Sequence, residues 1–193
     1  MNCLPLIVVS DSIQLKPMLE EHASMLFQLV DRNRKQLRTW LPWVDVMQSA
    51  EQFEQFIRGA GTREKEGLEA SWLIFHNGVL AGRIGIHYIN QQNEQGAIGY
   101  WLGQDFEGNG IVTRACEKVI AYGFQRLRLN RIELKCGTGN QKSAAIPQRL
   151  GFTKEGVLRE AELVNGRFID LYLFSLLRSE WREKVSPAHQ QDQ

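Results

Sequence analysis

At 193 residues the chain is long enough for one domain with a sizeable core, and its 43% hydrophobic and 23% charged residues are those of an ordinary globular protein. A formal net charge of +1 argues against a strongly basic surface for nucleic acid or an anionic membrane, and no apolar run is long enough to span a bilayer. Cys3, Cys116 and Cys136 are odd in number and widely spaced, which fits buried free thiols in a reducing cytoplasm better than a disulfide framework or a zinc site.

The first fifteen residues lack the basic start and small-residue cleavage site of a signal peptide. Ile13 to Leu19 reads as a first strand, with Leu4 to Val9 as a candidate before it. A helix is expected from Glu20 to Gln36, with Ala23, Leu26, Phe27 and Val30 on one face. The segment Leu37 to Val44 carries Trp40, Pro42 and Trp43, and Pro42 interrupts helix there. A second helix is expected from Ala50 to Glu66. Strands follow at Ser71 to His76 and Val79 to Ile89, joined at Asn77-Gly78, a type I′ hairpin signal. Gln95 to Leu102 is the next strand. A helix starting near Thr113 has Cys116, Val119, Ile120, Gly123, Phe124 and Leu127 at helical spacing. After a strand at Arg131 to Cys136 comes a short helix from Asn140 to Leu150, stopped by Gly151. Two more strands, Phe152 to Val164 and Arg167 to Leu176, meet at Asn165-Gly166. This order gives an α/β (α+β) fold with a mixed sheet. One domain is expected over residues 1–185, with a flexible polar tail at 186–193.

Residues 100–114, YWLGQDFEGNGIVTR, carry most of the chemistry. A strand runs into a loop with Gly108 and Gly110 and then into a helix, which suits phosphate oxygens. Two nucleotide fingerprints fail. The third place of G-x-G-x-x-G is Thr113, and no Gly-Lys-Ser or Gly-Lys-Thr occurs anywhere. Taken alone, the loop reads by default as a plain strand–turn–helix corner with flexible glycines.

Glu107 to Val112 lies where the GNAT superfamily of acetyl-CoA-dependent N-acetyltransferases carries [QR]-x-x-G-x-[GA]. Gly110 matches the central glycine; Glu107 and Val112 depart from the pattern. Asn140-Gln141-Lys142-Ser143 with Arg149-Leu150-Gly151-Phe152 resembles the family's N-x-x-[SA]…G-F segment. Residues 161–166 with Asp170, and Leu37-Arg38 with Trp40-Leu41-Pro42-Trp43, resemble the RimL/RimJ ribosomal-protein N-terminal acetyltransferase branch and its YdaF-like relatives. The resemblance runs from Leu15 to Trp181. It implies the GNAT fold: a strongly twisted mixed sheet flanked by helices, splayed at a central strand pair, with a bulge in the strand before the glycine loop.

The resemblance also implies roles. Acetyl-CoA is the expected co-substrate, with no metal. Tyr100, Trp101 and Leu102 form the edge along which the pantetheine arm lies, and the amide of Trp101 or Leu102 polarises the thioester carbonyl. Glu107, Gly108, Asn109, Gly110, Ile111, Val112 and Thr113 hold the pyrophosphate, with the Glu107 side chain turned away. Asn140 and Ser143 contact the cofactor, Ser143 donating to the departing thiolate, and Glu162 is the base, directly or through water. Glu160 and Asp170 are weaker candidates for binding the amine.

Other readings stand beside these. Asn140 reads equally as a helix cap, Tyr100 to Leu102 as an ordinary core strand, and Glu162 as an exposed strand-end glutamate. Pro147 either loosens the helix near the thiol or marks a packing kink. Trp40 and Trp43 either line a peptide groove or plug the gap between helices. His22, His76, His87 and His189 have no metal-ligand spacing, and His87 reads as a satisfied sheet histidine. The expected acceptor is the N-terminal amine of a ribosomal protein. The alternatives are a small amine such as a polyamine or antibiotic, or a CoA-binding module without catalysis. A homodimer follows from the resemblance alone.

Overall fold

A computed structural model describes residues 4–181; Cys3, His189 and the expected tail lie outside the described residues. Eight strands form one sheet: β1 (Ile7–Ser10), β2 (Ile13–Pro17), β3 (Ala70–His76), β4 (Val79–Asn90), β5 (Gln95–Leu102), β6 (Arg131–Gly137), β7 (Thr153–Val164) and β8 (Arg167–Leu177). Their order is β1-β2-β3-β4-β5-β6-β8-β7, and every pair is antiparallel except β5–β6. Asn77 and Gly78 take φ of 50° and 77°, the left-handed pair that a type I′ turn demands.

Helices cover both faces. On one, α1 (Ala23–Arg32) and α3 (Ala50–Lys65) bury Leu26, Val30, Phe53 and Ile57 against Leu73, Phe75 and Trp101. On the other, α4 (Ile111–Gln125) buries Ala115, Cys116, Val119, Ile120 and Phe124 with Trp72, Ile84, Ile86, Ile132 and Phe174. The expected helix over residues 20–36 is broken into a 3-10 turn, α1 and the short α2 (Arg34–Leu37). Asn33 marks the break after α1. Its side chain donates to the Leu29 carbonyl at 2.8 Å and accepts from the Gln104 amide at 2.8 Å, so the asparagine competes with the helix backbone and ties it to the loop after β5. Helix α3 starts where Ser49 and Gln52 close a capping box, Gln52 N–H to Ser49 Oγ at 3.4 Å and Ser49 N–H to Gln52 Oε1 at 3.1 Å.

One polar cluster is built into the helix-covered half of the sheet. Glu69 is 5% exposed. Its carboxylate takes Arg63 Nε at 2.6 Å, Ser71 Oγ at 2.6 Å and the Arg83 guanidinium, and His87 Nδ1 lies 3.3 Å away. Burial alone would raise its pKa; the His87, Arg83 and Ser71 contacts outweigh that and hold it far below the ordinary range. Burial in turn pulls Arg83 down to about 10 against the pull of Glu69. His87 is thus a partnered sheet histidine.

Candidate active site

The parallel pairing of β5 with β6 ends at Ile98↔Leu134. Beyond it, Gly99 to Leu102 stay paired with β4, and Lys135 to Gly137 stay paired with β8. The two halves of the sheet therefore part, which is the expected splay. The expected bulge is not in β5, whose register with β4 is regular from Ala97 to Leu102. The irregularity lies in β4 between His87 and Asn90, where Tyr88 has φ of 53°. An extra residue there is accommodated at the strand end, which leaves the β5 edge straight.

The Gly103 amide donates to the Ala81 carbonyl at 2.9 Å. The alternation of an antiparallel ladder then turns the amides of Gly99 and Trp101 toward β4 and those of Tyr100 and Leu102 into the gap. Of the two oxyanion donors expected, Trp101 is committed to β4 and Leu102 faces the opening.

The gap opens into a cleft of about 1020 Å³. Helix α4 begins at Ile111, two residues before the expected start, with Gly110 at its N-cap. Gly108 and Gly110 have φ of 80° and 67°, and a Cβ on either would meet nothing within 4 Å. Glycine is needed there for backbone shape, and the space above the loop is open. Gly110 has no side chain to cap the helix, so the first-turn amides are left for an anion. Tyr100, Trp101, Leu102, Glu107, Gly108, Gly110, Ile111, Val112, Thr113, Asn140 and Ser143 all border the cleft. Asn109 is not among the residues bordering the cleft; its carbonyl accepts from Arg114 Nη2 at 3.0 Å.

Glu107 is tied down at the edge of the cleft. Its carboxylate accepts from Lys142 Nζ at 2.6 Å and from Gln36 Nε2, linking α2 and α5 (Gln141–Arg149) across the glycine loop. Lys142, Gln36 and Arg149 border the same cleft and were not singled out by sequence. Their signal was the unlike charge at Glu107 itself, which needs a cation or a donor nearby.

Asn140 caps α5, its Oδ1 accepting the Ser143 amide at 3.1 Å. Ser143 Oγ lies 3.2 Å from the Tyr100 hydroxyl. Burial pushes the Cys136 thiol up, and Ser143 pulls it partly back. Trp40 borders the cleft and leans on Gly137 and Gly139, where an added Cβ would come within 3.0 and 3.2 Å of its ring. Trp43 instead packs on Trp101, ring centroids 6.0 Å apart.

Glu162, on β7, is not among the residues that border the cleft. It pairs with Ile169, whose side chain adjoins Trp40 at Gly137. Burial raises its pKa, and no hydrogen bond or ion pair is found for it among the described residues. A three-residue bulge of β7 precedes it: Glu160 takes φ of 48° and its amide donates to Asp170 Oδ1 at 2.8 Å. Asp170 therefore fixes the turn of backbone that presents Glu162. Asn165 Nδ2 donates to the Arg38 carbonyl at 2.6 Å and ties this hairpin to the loop carrying Trp40. No metal-holding group of His, Cys, Asp or Glu occurs among the described residues, and none of their helices is long and apolar enough to cross a membrane.

The sequence and fold are matched in known proteins. The Acetyltransferase (GNAT) domain family matches residues 12–153. The YdaF protein of Bacillus subtilis (strain 168) is 38% identical over 90% of this chain and 95% of its own length. The ribosomal-protein-serine acetyltransferase of Escherichia coli (strain K12) is 32% identical over 88% of this chain and 94% of its own. A solved structure of RimL, a ribosomal L7/L12 alpha-N-protein acetyltransferase in complex with coenzyme A, superimposes with a TM-score of 0.88 at 30% identity, covering 91% of this chain and 99% of that one.

Proposed function

The chain belongs to the GNAT acetyltransferase family and is an acetyl-CoA-dependent N-acetyltransferase, and we propose that its acceptor is the N-terminal α-amine of a protein, a ribosomal protein foremost. The observation that carries this reading is Glu162, a half-buried carboxylate on β7 with no hydrogen-bond or ion-pair partner among the described residues, paired with Ile169, whose side chain meets Trp40 at Gly137. An α-amine has a pKa of about 7.7–8.0 and a lysine about 10.4, so roughly a tenth of α-amines are neutral at pH 7 against fewer than about one lysine in a thousand. One modest base is enough for the first and poor for the second. The relatives that act on ribosomal proteins support the choice of acceptor.

In this reading the loop amides of residues 108–113 hold pyrophosphate oxygens. The Leu102 amide donates to the thioester carbonyl as it becomes an oxyanion, which contributes about 3 kcal/mol to the transition state. Glu162, directly or through water, takes the proton that the amine loses as it bonds to the carbonyl carbon. The Ser143 hydroxyl donates to the sulfur as the C–S bond breaks. Trp40 forms the wall along which the acceptor chain enters, and aromatic faces grip extended peptide with little entropy loss. The reducing-compartment reading of the cysteines puts the reaction in the cytoplasm, and a homodimer belongs to the same proposal, testable by sedimentation.

Thiol release from acetyl-CoA, measured with a ribosomal N-terminal peptide and with polyamines, decides the acceptor. Release with the peptide is expected. Release with small amines only would overturn the choice of acceptor, and CoA binding without any turnover would point to a non-catalytic module.

Glu107→Gln tests the phosphate cradle. It removes a negative charge from the loop and frees Lys142, and CoA is expected to bind about tenfold tighter by calorimetry at low salt. A charge ~6 Å from a phosphate contributes about 0.7 kcal/mol in bulk water and about 3 kcal/mol at near-surface dielectric, and a tenfold change, about 1.4 kcal/mol, lies between them. The gain shrinks in high salt. Equal or weaker binding would mean that Glu107 does not face the phosphates.

A further inference from the structure

Ser143 sits in the first turn of α5, and its carbonyl would ordinarily accept the amide of residue 147. That residue is Pro147, which has no N–H. The Tyr100 hydroxyl, reaching from β5 across the gap, donates to the Ser143 carbonyl at 3.1 Å and lies 3.2 Å from Ser143 Oγ. One phenol thus meets both oxygen atoms of the residue expected beside the leaving sulfur.

We propose that Tyr100 is a positioning residue for Ser143: its hydroxyl replaces the amide that Pro147 cannot supply and, by the same contact, orients the Ser143 hydroxyl toward the cleft. The proposal rests on the acetyl-transfer reading for its catalytic part only. A phenol has one hydrogen and two acceptor sites. While it donates to the Ser143 carbonyl, it can accept from Ser143 Oγ. When Ser143 Oγ–H turns to the sulfur, the phenol hydrogen can swing to Oγ and strengthen that bond. Charge on the sulfur is then spread over two linked donors. No proton leaves Tyr100: burial, with Cys116 beside it, pushes its pKa well up and keeps it a neutral donor at all working pH values. The proton balance of the reaction stays with the amine and Glu162. Pro147 and Tyr100 form a matched pair: the proline vacates the carbonyl that anchors the phenol.

The test is a cycle of Tyr100→Phe, Pro147→Ala and Ser143→Ala, read by kcat, KM for acetyl-CoA and Tm. Tyr100→Phe keeps the ring and its packing. It is expected to lower kcat about tenfold with KM changed less than about twofold, and to lower Tm by about 4 °C because the Ser143 carbonyl is left unpaired. Pro147→Ala restores an amide to that carbonyl. Tyr100→Phe in the Pro147→Ala background should therefore leave Tm nearly unchanged yet still lower kcat. With Ser143→Ala already present, Tyr100→Phe should lower kcat no further. Full recovery of kcat in Tyr100→Phe/Pro147→Ala would reduce Tyr100 to a helix prop and overturn the proposal, as would multiplicative losses with Ser143→Ala. If the unaltered protein transfers no acetyl group, the acetyl-transfer reading fails instead. The Tm arm then decides the pairing of Tyr100 with Pro147, and an unchanged Tm in Tyr100→Phe overturns it.

Discussion

Glu162→Gln is expected to lower turnover about a hundredfold while leaving CoA affinity unchanged, since a positioned general base contributes about 10²–10⁴. Among the described residues the side chain has no partner whose loss would disturb the fold, and glutamine keeps its shape, so the effect is confined to proton acceptance. The pH profile carries the signature. Burial raises the Glu162 pKa, so the carboxylate becomes ionised, and able to accept a proton, only above a pH higher than that of an ordinary glutamate. Turnover should climb with pH through that raised value, and the same limb should be missing in Glu162→Gln. Steady-state rates with the N-terminal peptide from pH 4 to 9, beside CoA titrations, measure both. Turnover within threefold of the unaltered protein across that range would remove Glu162 from the reaction.

The largest loss of stability is expected at Glu69→Gln. The carboxylate is the counter-charge for Arg83, whose Nε already lacks a partner among the described residues and whose guanidinium lies over the Phe56 ring, 4.9 Å from its centroid. Removing one member of a buried pair leaves the other charged and desolvated, which costs about 3–5 kcal/mol. For a chain of this size that is a fall in Tm of about 10 °C. The pH dependence has a definite sign. The folded-state pKa of Glu69 is depressed, so its stabilisation is present above the unfolded-state value of about 4.3 and is lost as pH falls below it toward the folded value. Melting curves from pH 7 to 3 should steepen in their acid loss for the unaltered protein and flatten for Glu69→Gln. A Tm within about 2 °C of the unaltered protein at pH 7 would show that Arg83 finds other partners. Because His87 and Arg83 lie on β4 beside β5, this variant should also loosen the edge on which the thioester is expected to react.

The elements legible in the sequence are those set by neighbours along the chain. Asn77-Gly78 specifies its own turn, Gly108 and Gly110 specify positive φ, and Asn140 caps the helix that follows it. The apolar spacing of α4 names the face it buries. Where local signals erred, a distant partner was responsible. The first long helix breaks because Asn33 bonds the Gln104 amide, 71 positions away, and the partners that hold the Glu107 carboxylate, Gln36 and Lys142, come from two helices far apart in the chain. Arg83 and His87, four apart on one strand, share a face and are a readable hint of a buried carboxylate, but nothing local says that Glu69 supplies it.

By itself, then, the amino-acid order determined the helices, hairpins and glycine loop, because each rests on backbone preferences and periodicity within a few residues. Strand order was left to the tertiary structure. Placing β6 beside β5 in parallel, and holding it to β8 where β5 parts from it, is what opens the gap and brings Tyr100 to Ser143. Which amide of Trp101 and Leu102 faces that gap is a matter of register, fixed only when β5 pairs with β4. The chemistry at this site depends on such cross-chain geometry, where packing across the sheet decides between arrangements that local propensity leaves equal.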